Sequence, residues 1–443
     1  MRAEIKGTDL KGEIAAIASK SMAHRYMIAS ALVSADVWAA TAKGDSRTQK
    51  NSLEKQRIFV ECHSTSEDIE ATMACLTAFG AHFEKKNNGY MITPIDRATM
   101  QESMSLPCKE SGSTFRFLLP VAATFGKKIQ FLQEGRLPNR PLSPLYEEMT
   151  SHGAVMSPQG ENPFKCEGKL TSGTYRLAGN VTSQFISGLL FALPMLEGDS
   201  RIELTSKLES KLYVDMTLQV IRLFGIRIDV VDNVYIIPGN QKYRSPKEGI
   251  VEGDWSNAAF WLCAGAIGKN PIAMTGLDED SLQGDKAIIR ILKEFGADIK
   301  SENGQITVST GKLIGINIDA ADIPDLVPIM AAVAAVAEGK TTIYNAERLR
   351  LKESDRLKTV SETLNTLGAD VSETEDGLVI NGKQELVGGT VNASGDHRIA
   401  MMAAIAALRC KKEVIIENAE AVNKSYPAFF EDYNRLSGKV EYK

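Results

Sequence analysis

A glycine that closes a helical segment recurs six times at an almost constant interval, and no other feature of the chain constrains its fold as much. The sites are Gly80, Gly153, Gly225, Gly296, Gly368 and Gly438, with successive intervals of 70 to 73 residues. One glycine behind a helix is the usual left-handed cap and says little. Six in register mean internal duplication. The segments just after the caps are shared as well. Residues 81–83 and 90–92 flank Asn88-Gly89, 226–231 and 234–237 flank Asp232-Asn233, 297–300 and 306–308 flank Asn303-Gly304, and 369–371 and 378–380 flank Asp376-Gly377. Such pairs of runs around short polar turns predict strand–turn–strand hairpins. The second copy departs, because Ser157-Pro158-Gln159-Gly160 predicts a longer loop.

Each copy also contains a helix with a polar start and an Ala/Leu/Met-rich body. The starts are Ser19-Lys20-Ser21, Ser111-Gly112-Ser113, Thr182-Ser183-Gln184, Asp254-Trp255-Ser256, Ile323-Pro324-Asp325 and Gly395-Asp396-His397. From Gly112, Ser183, Ser256, Asp325 and His397 the next glycine cap lies 41, 42, 40, 43 and 41 residues on, whereas from Ser21 it lies 59 on. The excess in the first copy falls on the polar residues 42–57, which read as a surface insertion without a catalytic role. Every copy therefore reads as strand–helix–strand–helix–strand–strand. The expected fold is α/β, with two similar domains of three such units each. The polar stretch 240–247, which contains Pro246, marks the break. Residues 19–242 form one expected domain, and residues 1–18 with 243–443 form the other. Helices that are apolar all round, as at 185–196 and 401–408, belong inside their domains. Their polar starts would then emerge together. A helix start presents unpaired N–H groups and a partial positive charge, so six starts at a cleft between the domains would bind anions.

The charges fit that expectation. A net charge of -5 excludes general nucleic-acid binding, so an anion site must come from local clustering of Lys and Arg. Lys20 and Arg25 sit in the first such helix and Arg116 in the second. Arg140 lies in the loop 135–141, Arg398 opens the sixth helix, and Lys424 stands in 422–427. The densest stretch is Arg348-Leu349-Arg350-Leu351-Lys352-Glu353-Ser354-Asp355-Arg356, where Lys352 and Arg356 would share a face if they lay on one helix. So many cations at helix starts in an acidic protein suggest a ligand with several phosphate or carboxylate groups. Asp325 and Glu353 are the candidate acid and base groups, although helix capping is the ordinary role of a residue placed like Asp325. The N-terminal residues lack the apolar core of a signal peptide. The most apolar run, 326–337, is interrupted by Pro328 and too short to span a bilayer. Six scattered cysteines without a CxxC pair read as reduced cytosolic thiols, and five dispersed histidines offer no metal-binding cluster.

Nine motifs, in order along nearly the whole chain, resemble those of the 5-enolpyruvylshikimate-3-phosphate synthase family. They are SKSxxxR at 19–25, ESGSTFR at 110–116, LPNRPL at 137–142, TSQF at 182–185, SKLYVD at 210–215, IPD at 323–325, RLRLKESDR at 348–356, GDHRIAM at 395–401 and NKSYP at 423–427. The resemblance implies two βαβαββ domains of the inside-out α/β barrel type that close over their ligands. It also implies transfer of the enolpyruvyl group of phosphoenolpyruvate to the 5-hydroxyl of shikimate 3-phosphate, with release of phosphate. Carried over motif by motif, Lys20, Ser21, Arg25, Thr182, Ser183, Ser210, Asp325 and Lys352 would hold shikimate 3-phosphate. Lys20, Gly112, Arg140, Gln184, Arg356, Arg398 and Lys424 would hold phosphoenolpyruvate. Asp325 resembles the family's proton acceptor at the hydroxyl, Glu353 its carboxylate for proton transfer at the methylene carbon, and Lys20 is counted with them as catalytic. No metal or organic cofactor is implied. The expected partners are these two small molecules, with no nucleic acid and no membrane, and the expected state is a cytoplasmic monomer.

Two positions depart from the family pattern without removing a needed charge or hydroxyl: His24, where a polar amide is common, and Thr182, where serine is common. The nearest rival is UDP-N-acetylglucosamine enolpyruvyl transferase, which shares the fold and the donor. It typically carries a reactive cysteine in the loop matching 133–143, and this chain has none there. A non-catalytic binding protein on the same fold is the other alternative, opposed by the presence of Lys20, Asp325, Glu353 and Lys424.

Overall fold

The computed structural model describes residues 1–6, 9–34, 56–246 and 248–443. Most of the predicted insertion 42–57 lies outside the described residues. The chain divides into two compact units, Met1–Ser19 with Glu252–Lys443, and Lys20–Val251.

Among the described residues, six four-stranded sheets carry the repeat, three in each unit. The second copy shows the pattern. Ser103–Lys109 leads through the helix Gly112–Phe125 to the parallel strand Lys128–Gln133. The helix Leu145–Ser151 then precedes Ala154–Met156 and Phe164–Gly168, which pair with each other and return antiparallel to Lys128–Gln133. The longer loop foreseen from Ser157-Pro158-Gln159-Gly160 separates those two strands. In the fourth copy the hairpin Asp298–Glu302/Gln305–Ser309 turns through Asn303 and Gly304, both at positive φ.

Two details of connectivity lie beyond the repeat count. Glu248–Ile250 pairs in parallel with Ile58–Glu61 in the sheet of the first repeat, whereas Gly12–Ala15 pairs in parallel with Ile272–Thr275 in the sheet of the fourth. The unit that begins at Lys20 therefore runs on to Val251, beyond the residue 242 read from the polar stretch, because its first sheet needs that last strand. The sixth repeat is completed by the chain's own beginning. Arg2–Ile5 lies between Val414–Glu417 and Val440–Tyr442, antiparallel to both.

One helix of each repeat is buried nearly all round. Every residue of Val327–Ala334 is buried, and so is all of Trp255–Ile267 apart from Ser256. In the Lys20–Val251 unit, Gly188 lets the helix Ser183–Ala192 approach Gly112–Phe125 closely, since a Cβ there would stand 2.3 Å from the carbonyl oxygen of Arg116. Burying each Leu, Ile or Phe of such helices contributes roughly 1.5–3 kcal/mol. The second helices end at the predicted glycines, and Gly80, Gly153, Gly225, Gly296 and Gly368 have φ between +80° and +104°. The sixth cap differs. Ser437 takes the left-handed conformation, and Gly438 is required for contact, because a Cβ would lie 2.2 Å from the Tyr433 ring.

Candidate active site

In the Lys20–Val251 unit the starts of the buried helices are drawn together by neutral polar groups. Lys20 opens the helix Lys20–Ala31, and its Nζ lies 2.8 Å from Asp68 Oδ2, in the first turn of the helix Glu67–Ala78. One turn on, the buried Arg25 donates from Nε to Thr217 Oγ1 at 2.8 Å, from Nη1 to the Ser21 carbonyl at 2.7 Å and from Nη2 to the Tyr213 carbonyl at 2.6 Å. Its guanidinium carbon stands 5.2 Å from the centre of the Phe117 ring. Burial lowers its pKa to about 10, so it stays charged at neutral pH. Ser210, buried and held at φ 53°, precedes the helix Lys211–Leu223 that supplies Tyr213 and Thr217.

Thr182 caps Ser183–Ala192, its hydroxyl accepting from the Gln184 N–H at 3.3 Å. The Gln184 side chain accepts from Arg116 Nη1 and donates to Ser113 Oγ, each at 3.0 Å, joining two helix starts. Ser183 beside it is buried. Arg140 follows the short 3-10 turn Leu137–Asn139. A Cβ on Gly112 would lie 2.8 Å from the Nη1 atoms of both Arg116 and Arg140, so the missing side chain is what lets two guanidinium groups close over this helix start. A buried chain then links the Lys20 helix to the Gly112 turn: His24 Nδ1 to Thr72 Oγ1 at 2.7 Å, Thr72 Oγ1 to Thr114 Oγ1 at 2.6 Å, and the Thr114 hydroxyl to Ser111 Oγ at 2.8 Å. Burial pushes the His24 pKa down to about 3, which keeps the ring neutral.

In the other unit, carboxylates dominate. Asp325 lies in the 3-10 turn Pro324–Leu326 and does not cap the helix that follows. Its Oδ1 accepts from Arg356 Nη1 at 2.8 Å and its Oδ2 from Arg398 Nη2 at 3.0 Å, while Lys352 Nζ stands 3.6 Å from Oδ1. The shared helix considered for Lys352 and Arg356 is not formed. The turn Glu347–Leu351 ends at Lys352, and Asp355 caps a new helix, Arg356–Thr366. The two cations meet at Asp325 all the same. Arg356 also binds Glu353 Oε2 at 2.8 Å and Asp396 Oδ2 at 2.7 Å. Burial alone would raise the Asp325 pKa, but Arg398, Lys352 and Arg356 outweigh it and hold the carboxyl well below its usual range. Asp285 shows the reverse balance. It is fully buried, accepts from the Ser256 hydroxyl, and is pushed up to about 6 by burial and by the negative charge of Asp325. Lys424 closes the turn Ala419–Lys424 and is buried. Asp68 and Asp285 were in none of the quoted motifs, and Asp396, though inside GDHRIAM, was given no site role. Only the acidic first turn of Glu67–Ala78 and the cap position of Asp396 could have signalled two of them.

Among the described residues, no group of His, Cys, Asp and Glu is arranged to hold a metal ion, and no helix is long and apolar enough to cross a membrane.

Twin units of three βαβαββ repeats, with cations gathered at buried helix starts, define the enolpyruvyl-transferase class of α/β proteins. The whole chain is similar to a solved EPSP synthase from Acinetobacter baumannii (TM-score 0.79, 25% identity, 100% of both chains covered). It shares its fold with the enolpyruvyl transferase NikO from Streptomyces tendae (TM-score 0.77, 18% identity, covering 100% of this chain and 98% of that one). Residues 52–433 match the family model described as EPSP synthase (3-phosphoshikimate 1-carboxyvinyltransferase). A 3-phosphoshikimate 1-carboxyvinyltransferase from Clostridium kluyveri is 44% identical over 439 residues, 99% of this chain and 97% of the relative. One from Clostridioides difficile is 40% identical over 452 residues, 99% of this chain and 98% of the relative. The chain belongs to the EPSP synthase family.

Proposed function

We propose that the two sets of residues divide between them the reaction of the family, transfer of the enolpyruvyl group of phosphoenolpyruvate to the 5-hydroxyl of shikimate 3-phosphate. The observation that carries this reading is the Asp325 carboxylate, held ionised among Arg356, Arg398 and Lys352. An acceptor hydroxyl adds to an enol carbon only if its proton leaves as the methylene carbon gains one. Asp325 is the proton acceptor at the hydroxyl, and Glu353 serves the methylene carbon. Elimination then reverses that traffic and expels phosphate. Each such group contributes roughly 10²–10⁴-fold, and the fixed cations supply positioning and charge stabilisation.

Ser21, Arg25, Thr182, Ser183, Ser210 and Lys352 hold shikimate 3-phosphate in this reading. Gly112, Arg140, Gln184, Arg356, Arg398 and Lys424 hold phosphoenolpyruvate, and Lys20 serves both ligands. Turnover thus draws on both units, and the protein works as a cytoplasmic monomer without nucleic-acid, membrane or cofactor partners. Phosphate release, followed in a coupled assay, should require both substrates. Release with UDP-N-acetylglucosamine in place of shikimate 3-phosphate, or none with the proposed pair, would overturn the reading.

A further inference from the structure

Three carboxylates share the Arg356 guanidinium, and they are not equivalent. The Asp396 side chain has 0% exposure. It takes Arg356 Nε at 2.7 Å and Nη2 at 3.3 Å, the Ser354 hydroxyl at 3.1 Å and the backbone N–H of Arg398 at 3.0 Å. Four donors on two fully buried oxygens, at a helix start, make it a fixed partner. Asp325 is 20% exposed and Glu353 12%. Asp325 accepts from both guanidinium groups, one oxygen on each. A carboxylate held between two guanidinium groups occupies the place that two oxygens of an incoming phosphate or carboxylate would take.

We infer that Asp325 is an internal placeholder for the donor: without ligand it neutralises Arg356 and Arg398, and an anionic group of phosphoenolpyruvate replaces it there, releasing its carboxylate for the acceptor hydroxyl. The inference rests on the assignment of Arg356 and Arg398 to the donor made above. Taking a carboxylate partner away from buried arginines is destabilising, and the placeholder keeps both guanidinium groups paired with Asp325 until the donor arrives. Asp396 and Glu353 keep Arg356 oriented during the exchange. The donor's negative charge then offsets the cations that hold the Asp325 proton affinity down, so the affinity rises once the donor is bound. The charged groups facing Asp325 include Arg356, Arg398, Lys352, Glu353 and Asp285.

The test is calorimetric titration of inorganic phosphate and of phosphoenolpyruvate into the full-length wild type, Asp325→Asn and Asp325→Ser, with Asp285→Asn as a control for simple loss of negative charge. Both Asp325 variants should bind each anion at least about tenfold more tightly than wild type, as removal of a close competing charge requires, although their turnover collapses. Asp285→Asn should gain clearly less. Unchanged or weaker binding in the Asp325 variants, or an equal gain in Asp285→Asn, would overturn the placeholder. A wild-type measurement stands independently of variant folding. In protein carrying carbon-13-labelled aspartate, saturating phosphate should raise the titration midpoint of the Asp325 carboxyl, and an unmoved midpoint would count against the exchange. Phosphate release by wild type with both substrates separates the two ideas: its absence removes the proposed function, whereas turnover with unaltered anion affinity in the variants removes only the placeholder.

Discussion

Arg25 and Arg356 are both almost wholly buried, each near the start of a helix, yet they are held in opposite ways. Arg25 donates to a threonine hydroxyl and two backbone carbonyls. Arg356 donates to three carboxylates. Neutral acceptors orient a cation and leave its charge for a ligand, whereas carboxylates orient and neutralise it, so that a ligand must compete. The contrast extends across the two units. In Lys20–Val251 the helix starts are joined by Gln184, Ser113, Thr72 and Thr114, with Asp68 as the carboxylate at Lys20. In the other unit Asp325, Glu353, Asp396 and Asp285 surround the arginines. One repeat supports both arrangements because the buried helix fixes only where its start lies.

The largest effect that would sharpen this contrast is on turnover. Lys20→Ala should lower kcat by about 10³-fold or more with the fold retained, although the thermal midpoint falls because Asp68 loses its partner, read by phosphate release and circular dichroism; near-normal activity would remove Lys20 from the centre of the site. Stability separates the two arginines next. Arg356→Met leaves Asp396 buried without its counter-ion and should cost about 3–5 kcal/mol in urea unfolding. Arg25→Met strands only neutral acceptors and should cost about 1–3 kcal/mol. The reverse order would break the comparison.

His24 makes stability depend on pH. Its folded pKa of about 3 lies below the ordinary value of 6.5, so below pH 6.5 the unfolded chain binds a proton that the folded chain refuses. The folded state therefore loses stability as pH falls from 6.5 towards 3, by roughly 1.4 kcal/mol per pH unit at most. Replacing the ring by His24→Asn should flatten the unfolding free energy over pH 6.5 to 5, and an unaltered slope would show that His24 does not titrate in this way. The smallest effect expected is for Gly112→Ala. Its methyl must displace the Arg116 and Arg140 ends, so the KM for phosphoenolpyruvate should rise several-fold while that for shikimate 3-phosphate stays nearly constant. Equal shifts in both would detach Gly112 from the donor.

Much of the molecule was legible in the order of residues. The six glycine caps and hairpin turns are local chemistry, so their spacing alone gave the repeat, its element order and the count of three per unit. The polar helix starts, from Ser19-Lys20-Ser21 to Gly395-Asp396-His397, came from the same periodicity, and the motifs around them carried the family. Tertiary structure decided what no local pattern encodes. It placed Arg2–Ile5 in the sixth repeat and exchanged Gly12–Ala15 with Glu248–Ile250 between sheets. It put the left-handed cap at Ser437 rather than Gly438, and it placed the candidate Asp325 as a bridge between Arg356 and Arg398. Asp68, Asp396 and Asp325 lie 48, 40 and 73 residues along the chain from Lys20, Arg356 and Arg398, with which they respectively pair. Sequence periodicity fixes which groups stand at helix starts. Which acid meets which base depends on how the sheets bring those starts together, and that is a property of the packed core.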